Sequence, residues 1–167
     1  MAFHDLIEIE LSGGCQCGAV RYHATARNDN AHICHCRMCQ KAVGGFFAPL
    51  VAFPLDRFAW TRGQPAYFRS SAEVRRGFCS NCGTPLSFES DGAKHLNVTI
   101  GSLDHPEFVP PIDQDGMEGQ LPYFDALHEL PDTGTTEGQD AGWAAGIRAS
   151  NNQHPDHDTD DWEVRRG

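Results

Sequence analysis

Residues 79–82 read Cys79-Ser80-Asn81-Cys82, and Gly83 follows them directly, which is the pattern of a zinc knuckle. Two thiolates at this spacing can bind one metal ion while nearby backbone N–H groups donate hydrogen bonds to the sulfurs. Gly83 permits the tight turn that brings those donors round. A thioredoxin-like redox role is disfavoured, because that motif belongs near a βαβ pattern, which the sequence lacks.

Five further cysteines lie upstream and strengthen the metal interpretation. They are Cys15, Cys17, Cys34, Cys36 and Cys39. The last three span only six residues, so they are best placed to share one ion. Cys15, Cys17, Cys79 and Cys82 would then form a closed four-thiolate site, and a metal there would close a loop of more than sixty residues.

The three-cysteine set is open to two interpretations. A catalytic zinc has three protein ligands and one open position, whereas a structural zinc is closed by four ligands. His35 or His32 could supply a fourth ligand. All seven cysteines would in that case be structural, as in a zinc ribbon.

The composition is that of a globular protein with an acidic surface. Among 167 residues, 13 Lys and Arg stand against 23 Asp and Glu, which gives a formal net charge of -10. This charge disfavours nucleic acid and anionic membranes as partners. Residues 1–10 show neither a basic n-region nor an apolar h-region, so we expect a cytoplasmic protein. A reducing compartment favours metal or thiol chemistry over disulfides.

Short alternating stretches bounded by turn residues predict a mainly β fold built from short antiparallel strands. Residues 5–11 and 20–24 alternate between apolar and polar side chains and predict a hairpin around the first cysteine pair. Similar stretches recur as far as Ile100. No helix longer than about ten residues is indicated by periodicity.

Residues 132–167 differ in composition from the rest of the chain. They contain eight acidic and three basic side chains, and Trp143 and Trp162 are their only aromatic residues. Such a segment buries too little apolar area to offset its ordering entropy. We therefore expect a folded domain over residues 1–131 and a disordered acidic tail over residues 132–167. Metal capture by residues 154–158 is the alternative.

Six motifs occur in a fixed order between about residues 10 and 110. They are Gly14-Cys15-Gln16-Cys17-Gly18, Val20-Arg21-Tyr22, Cys34-His35-Cys36-Arg37-Met38-Cys39, Gly44-Gly45-Phe46-Phe47, Phe78-Cys79-Ser80-Asn81-Cys82-Gly83-Thr84 and Gly101-Ser102-Leu103-Asp104-His105-Pro106. Together they resemble the glutathione-dependent formaldehyde-activating enzyme (GFA) family, also called the centromere protein V/GFA domain.

The resemblance implies a zinc-stabilised β-tent fold that holds two Zn2+ ions per chain. It assigns Cys15, Cys17, Cys79 and Cys82 to a structural site, and Cys34, Cys36 and Cys39 to a catalytic site. The implied activity joins glutathione to formaldehyde and is classed as carbon–sulfur lyase chemistry. The implied partners are a small-molecule thiol, glutathione or a similar compound, and a small aldehyde.

Cationic side chains near the cysteines are candidates for binding the two carboxylates of glutathione. Arg37 and Lys41 lie beside the three-cysteine set, and Arg75 and Arg76 precede the knuckle. The alternative for each is a solvated surface charge, which is the usual state of Arg and Lys.

The sequence departs from the family pattern after Pro111. Many relatives carry a His-Ile-Trp-like segment and then a Pro-Trp pair, whereas residues 112–119 are polar and acidic here and Pro122-Tyr123-Phe124 follows. This change falls where the substrate pocket would be completed. Two alternatives therefore stand beside the GFA reaction: a lyase acting on a different thiol conjugate, and a non-catalytic zinc-stabilised β module that binds a protein partner.

Overall fold

The alternating stretches of the sequence form short strands in a computed structural model, which describes residues 8–27 and 29–165. The strands are β1 (Glu8–Gly14), β2 (Arg21–Arg27), β3 (Ala31–Cys34), β4 (Ala48–Pro54), β5 (Phe58–Arg62), β6 (Ala66–Arg69), β7 (Val74–Phe78), β8 (Pro85–Ser90), β9 (His95–Thr99) and β10 (Asp113–Asp115). The helices are α1 (Arg37–Val43), α2 (Thr136–Gln139) and α3 (Ala141–Ser150). Short 3-10 turns occupy Leu55–Arg57, Ile100–Ser102, Pro106–Phe108, Met117–Gly119 and Phe124–Glu129.

The strands assemble into two sheets. One has the order β1-β2-β5, and the other has the order β10-β3-β4-β9-β8-β7-β6. Every pair is antiparallel except β10 with β3, which is parallel. The prediction of a mainly β fold of short antiparallel strands is therefore confirmed.

The predicted first hairpin is formed by β1 and β2, with Leu11 opposite Ala24. Both strands continue three residues beyond the predicted ends, to Gly14 and Arg27. Residues 5–7 of the predicted strand, together with most of residues 1–10, lie outside the described residues.

The main core lies where aromatic and aliphatic side chains of both sheets meet. Tyr22 of β2 is fully buried, and its ring stacks on Phe58 of β5 at 5.3 Å between centroids. Phe53 of β4 and Val98 of β9 are also fully buried and belong to the same cluster. Apolar burial of this kind supplies most of the driving force for folding, and it fixes the loops that carry the cysteines.

The described part of the C-terminal segment differs from the disordered tail that its composition predicted. Helices α2 and α3 form within it, and the backbone N–H of His154 donates to the Gln16 carbonyl at 2.7 Å. The indole N–H of Trp162 donates to the Cys17 carbonyl at 2.8 Å. Low apolar content predicted disorder, whereas polar contacts of His154 and Trp162 with the β1–β2 connection hold this segment. The boundary at residue 131 stays a prediction.

A buried charge network joins this segment to the domain. Arg21, only 3% exposed, donates to Asp104 at 2.9 and 2.5 Å and to Asp158 at 2.8 Å. His154 lies next to Arg21, and its Nε2 is 3.2 Å from Arg62. Burial, together with the two guanidinium groups, lowers the pKa of His154. Because a guanidinium group only donates, Nε2 of His154 accepts from Arg62.

We expect Asp104→Asn to lower the free energy of unfolding by about 3 kcal/mol at pH 7, because breaking a buried ion pair leaves Arg21 with the half-exposed Asp158 as its one carboxylate partner among the described residues. Burial alone would raise the pKa of Asp104, but hydrogen bonds from Arg21 and Ser12 outweigh it and hold this pKa below its usual value. A carboxyl with a lowered folded-state pKa contributes stability above its unfolded pKa and loses that contribution as pH falls through the folded pKa.

Denaturant unfolding at several pH values tests this prediction. The difference between wild type and Asp104→Asn should be constant from about pH 7 to pH 5 and shrink below about pH 4. Asp91→Asn serves as the control, since Asp91 pairs with Arg69 at the surface and should contribute less than about 1 kcal/mol. An Asp104→Asn deficit that stayed unchanged into strong acid would contradict the account.

Candidate metal centres

Four cysteines from two separate strand connections meet at one point. Cys15 and Cys17 lie between β1 and β2, Cys79 and Cys82 lie between β7 and β8, and the four sulfurs are all within 4.8 Å of one another. The Cys15–Cys17 and Cys17–Cys79 sulfur distances are 3.6 and 3.8 Å. Sulfurs placed about 2.3 Å from a tetrahedral zinc lie about 3.8 Å apart. The group therefore fits a closed zinc site.

Hydrogen-bond donors surround these sulfurs, as expected for metal-bound thiolates. The backbone N–H of Val20 lies 3.2 Å from the Cys15 sulfur, and the Asn81 side-chain amide lies 3.2 Å from the Cys17 sulfur. Burial alone would raise the pKa of Cys82, yet hydrogen bonds led by the Thr84 hydroxyl lower this pKa to about 6.

The glycine after the knuckle makes the tight turn that the sequence predicts. Gly83 has φ +80°, a left-handed conformation that favours glycine, and its N–H donates to the Cys79 carbonyl at 2.8 Å. This turn closes the connection between the two cysteines of the knuckle.

The other three cysteines form a second group around the start of α1. Cys34 ends β3, Cys36 directly precedes α1, and Cys39 lies in its first turn, with all three sulfurs within 4.8 Å of one another. Cys39 is buried, whereas Cys34 and Cys36 are half-buried. Their sulfurs could hold one metal ion. The two groups divide the seven cysteines in the way that their spacing indicated.

Neither histidine near the second group lies close enough to the three sulfurs to bind the same metal ion. His35 is fully buried, and its Nε2 lies 2.9 Å from the Gln114 amide oxygen, while its ring packs edge-on against Phe124. His32 instead approaches Asp115 at 3.8 Å. Within residues 8–27 and 29–165, no His, Asp, Glu or further Cys joins Cys34, Cys36 and Cys39 as a fourth ligand.

The predicted alternative site over residues 154–158 is likewise not assembled. His154 uses its ring nitrogens in contacts with Pro155, Thr159 and the two arginines of the charge network. Across the described ranges, this segment contributes no group of three potential ligands.

The segment that departs from the family pattern lies directly on the three-cysteine loop. Strand β10 pairs with β3, and the His35 N–H donates to the Asp115 carbonyl at 2.8 Å. The Gln40 side-chain amide donates to the carbonyls of both His35 and Gly119 at 2.8 Å. Sequence reasoning missed Gln40 and Gln114 as supports of this loop, because a single polar residue carries no periodic signal.

Gly116 allows this segment to approach the loop closely. It has φ +62°, and a Cβ there would lie 2.6 Å from the backbone nitrogen of Cys36. We expect Gly116→Ala to displace the loop that carries Cys36 and to lower zinc occupancy at the three-cysteine group while the four-cysteine group stays filled. The zinc content measured by elemental analysis should fall from about two ions per chain to about one.

Gly92→Ala is the matched control for this substitution. Gly92 also has positive φ, +74°, but a Cβ there would meet nothing within 4 Å. Its variant experiences the backbone strain without the clash, and should lose about 1 kcal/mol of stability while keeping both metals. Equal zinc loss in Gly116→Ala and Gly92→Ala would contradict the role of the close approach between Gly116 and Cys36 in positioning the loop.

The four candidate cationic residues occupy different environments. Arg37 donates to Gln40, and Lys41 is exposed on α1. Arg75 is paired with Glu89 at 2.7 Å and lies over the Tyr67 ring, so its charge is already partnered. Arg76 is half-buried, and its Nη2 lies 3.5 Å from the Cys39 sulfur. Of the four, Arg76 makes a direct contact with the three-cysteine group.

A cavity of about 170 Å³ adjoins Arg76. It lies between α1 and the face of the larger sheet, and apolar side chains such as Val43, Leu50, Phe68 and Phe88 form much of its wall. Among the residues that the structure describes, Arg76 is the one charged residue in that wall. The cavity therefore combines an apolar wall with a guanidinium group that contacts the sulfur of Cys39.

No helix among the described residues combines the length and the apolar character that a membrane crossing requires.

The fold and the two cysteine groups together define a mainly β protein that could hold metal ions at two places. The family model of the glutathione-dependent formaldehyde-activating enzyme matches residues 10–115. The chain therefore belongs to the GFA family, which confirms the resemblance drawn from its motifs.

One solved relative supports the fold. A Rhodobacter sphaeroides protein of known crystal structure is similar, with 20% sequence identity and a TM-score of 0.52. The match covers 62% of this chain and 98% of that chain. At this identity the similarity concerns the fold alone.

Proposed function

We propose that this protein is a zinc-dependent carbon–sulfur lyase that adds a thiol such as glutathione to formaldehyde or a related small carbonyl compound, or catalyses the reverse. The observation that carries the proposal is the three-cysteine group, in which the described residues supply three sulfurs and no fourth ligand. Catalytic zinc sites have three protein ligands, whereas structural sites have four. The four-cysteine group is the structural counterpart.

Cys34, Cys36 and Cys39 would hold the catalytic ion, and the other four cysteines would hold the structural one. When bound, zinc keeps a substrate thiol deprotonated at neutral pH and holds its sulfur beside the protein. Three thiolates exceed the charge of Zn2+ by one, so the centre would be a weak Lewis acid. Its main contribution would be to present a sulfur nucleophile rather than to polarise the carbonyl.

The chemistry needs one bond to form and one proton to move. The substrate sulfur attacks the aldehyde carbon, a C–S bond forms, and the π electron pair of the carbonyl passes to oxygen, which takes up a proton. The product is a hydroxymethyl thioether, and the reverse reaction breaks the same C–S bond. Neither direction consumes an oxidant or a reductant.

The chain's own residues shape this site in two ways. Gln40 fixes the loop between Cys34 and Cys39 through its two hydrogen bonds to backbone carbonyls. Arg76 places a positive charge against Cys39 and offsets the excess negative charge. Arg37 and Lys41, both exposed on α1, are available to the carboxylates of a thiol such as glutathione. A cytoplasmic location, where thiols stay reduced, is part of this proposal.

The proposal is tested by following the formaldehyde-dependent loss of free glutathione with the zinc-loaded protein. The rate should exceed both the spontaneous reaction and the reaction with zinc-free protein. An adduct that formed equally fast with zinc-free protein would refute the zinc-dependent role. The same outcome, combined with a stable folded domain, would favour a non-catalytic module that binds a protein partner.

A further inference from the structure

We propose that the preferred thiol is a small mercapto acid, with one carboxylate only a few bonds from its sulfur, and that Arg76 binds that carboxylate. This inference rests on the proposed function, since it assigns a substrate class to the same three-cysteine site. Three features of the described residues carry it: the contact of Arg76 with Cys39, the unpartnered Nε of Arg76, and the size and charge of the neighbouring cavity.

The position of Arg76 limits how far the acidic group can lie from the sulfur. Its Nη2 is 3.5 Å from the Cys39 sulfur, so the guanidinium borders the group that would hold the ion. A ligand whose sulfur joins Cys34, Cys36 and Cys39 can place a carboxylate on Arg76 without folding back on itself when that carboxylate lies only a few bonds from the sulfur. Glutathione carries its carboxylates at the two ends of a tripeptide, each several bonds farther away.

The guanidinium of Arg76 also has an unused donor. Its Nε is buried and, within the part of the chain that the structure describes, has no hydrogen-bond partner. The side chain is held in place by its contact with the Phe88 ring, 5.0 Å from the guanidinium carbon to the ring centroid. A buried donor without a partner is costly, and a carboxylate would satisfy it with a charge-assisted hydrogen bond.

The cavity beside Arg76 has the size of a small ligand. Its volume of about 170 Å³ falls below the roughly 300–1,000 Å³ of pockets that enclose drug-sized ligands. Because Arg76 is the one charged residue that the described part of the chain places in its wall, the cavity suits a single acid group on a short apolar body. Glutathione, with two distant carboxylates and a free amine, matches neither the small volume of the cavity nor its single charge.

The proposal is tested by calorimetric binding to the zinc-loaded full-length protein. The probes are 3-mercaptopropionate, 2-mercaptoethanol as its uncharged counterpart, and glutathione. We expect 3-mercaptopropionate to bind about tenfold or more tightly than either of the others, since one charge-assisted hydrogen bond separates it from 2-mercaptoethanol. Glutathione binding as tightly as 3-mercaptopropionate would overturn the inference.

Variants show whether Arg76 is the source of that preference. Arg76→Gln should reduce the affinity for 3-mercaptopropionate by about tenfold more than it reduces the affinity for 2-mercaptoethanol, because 2-mercaptoethanol loses only the positive charge beside Cys39 and not a carboxylate partner. Arg76→Lys should keep part of the preference. Arg69→Gln is the matched control, because Arg69 lies on the neighbouring strand and pairs with Asp91 at the surface. An Arg76→Gln variant that kept the full preference, or lost affinity equally for both thiols, would overturn the assignment.

The binding assay also separates this inference from the proposed function. If 3-mercaptopropionate binds with the expected preference but forms no adduct with formaldehyde, the lyase proposal fails and the binding site stands. If the adduct forms with glutathione and the preference for 3-mercaptopropionate is absent, the substrate inference fails and the lyase proposal stands.

Discussion

Cys79→Ser is expected to leave the domain unfolded, or less stable by at least several kcal/mol, and to retain no zinc at the four-cysteine group. Cys79 is buried with its sulfur 3.8 Å from that of Cys17, so it joins the β7–β8 connection to the β1–β2 connection. Structural zinc contributes about 10–16 kcal/mol in small zinc domains, and that binding free energy is also folding free energy. A serine hydroxyl does not replace a thiolate ligand.

Circular dichroism during thermal unfolding, together with zinc analysis, measures the effect of Cys79→Ser. Adding a strong chelator to the wild-type protein should reproduce the loss of structure, because it removes the same ion. A Cys79→Ser protein that melted like the wild type would show that the four-cysteine group does not stabilise the fold. Full zinc retention in a well-folded variant would contradict its role as a closed site.

Cys36→Ser is expected to abolish the thiol-addition activity while preserving the fold. The sulfur of Cys36 is one of three in its group, and no other described residue of a ligand type lies close enough to replace it. Even the loss of a residue that only supports a ligand commonly costs 10–100-fold in metal affinity or activity, so losing a ligand itself should cost about a hundredfold or more. The half-buried position of Cys36 and the separate core around Tyr22 predict little loss of stability.

Met38→Ala is the matched control for the activity of Cys36→Ser. Met38 lies two residues away in the first turn of α1 and is about half exposed, so its substitution should change neither metal content nor fold. Zinc analysis should give about two ions per chain for the control and about one for Cys36→Ser. Activity that survived in a zinc-depleted Cys36→Ser variant would contradict a zinc-dependent mechanism.

The fold and the two cysteine groups could be predicted to the extent that their signals are local. Alternation of apolar and polar side chains predicted the β1–β2 hairpin, because period two is set by strand geometry. The close spacing of Cys34, Cys36 and Cys39 separated them from the other four cysteines, because six residues cannot easily spread over two sites. The structure groups the sulfurs in these two sets.

Contacts between distant parts of the chain could not be predicted in the same way. The tail was expected to be disordered because its apolar content is low. That content gives no sign of the buried Arg21, which binds Asp158 more than a hundred residues away. The position of His35 against Gln114 depends on the parallel pairing of β10 with β3, which no short pattern indicates.

The distinction between Arg75 and Arg76 is a third feature that the sequence did not show. Both precede the knuckle, and successive residues of a strand point to opposite faces of the sheet. One is therefore paired with Glu89, and the other contacts Cys39. The sequence alone could not tell which face covers the cysteine group.

X-ray absorption spectroscopy at the zinc edge, with elemental analysis of the same sample, measures how many sulfurs bind each zinc ion. We expect about two zinc ions per chain and an average of about 3.5 sulfurs per zinc, the mean of a four-sulfur and a three-sulfur site. Addition of 3-mercaptopropionate should raise that average toward four. One zinc per chain, or a second ion with four protein ligands that no added thiol alters, would contradict the account.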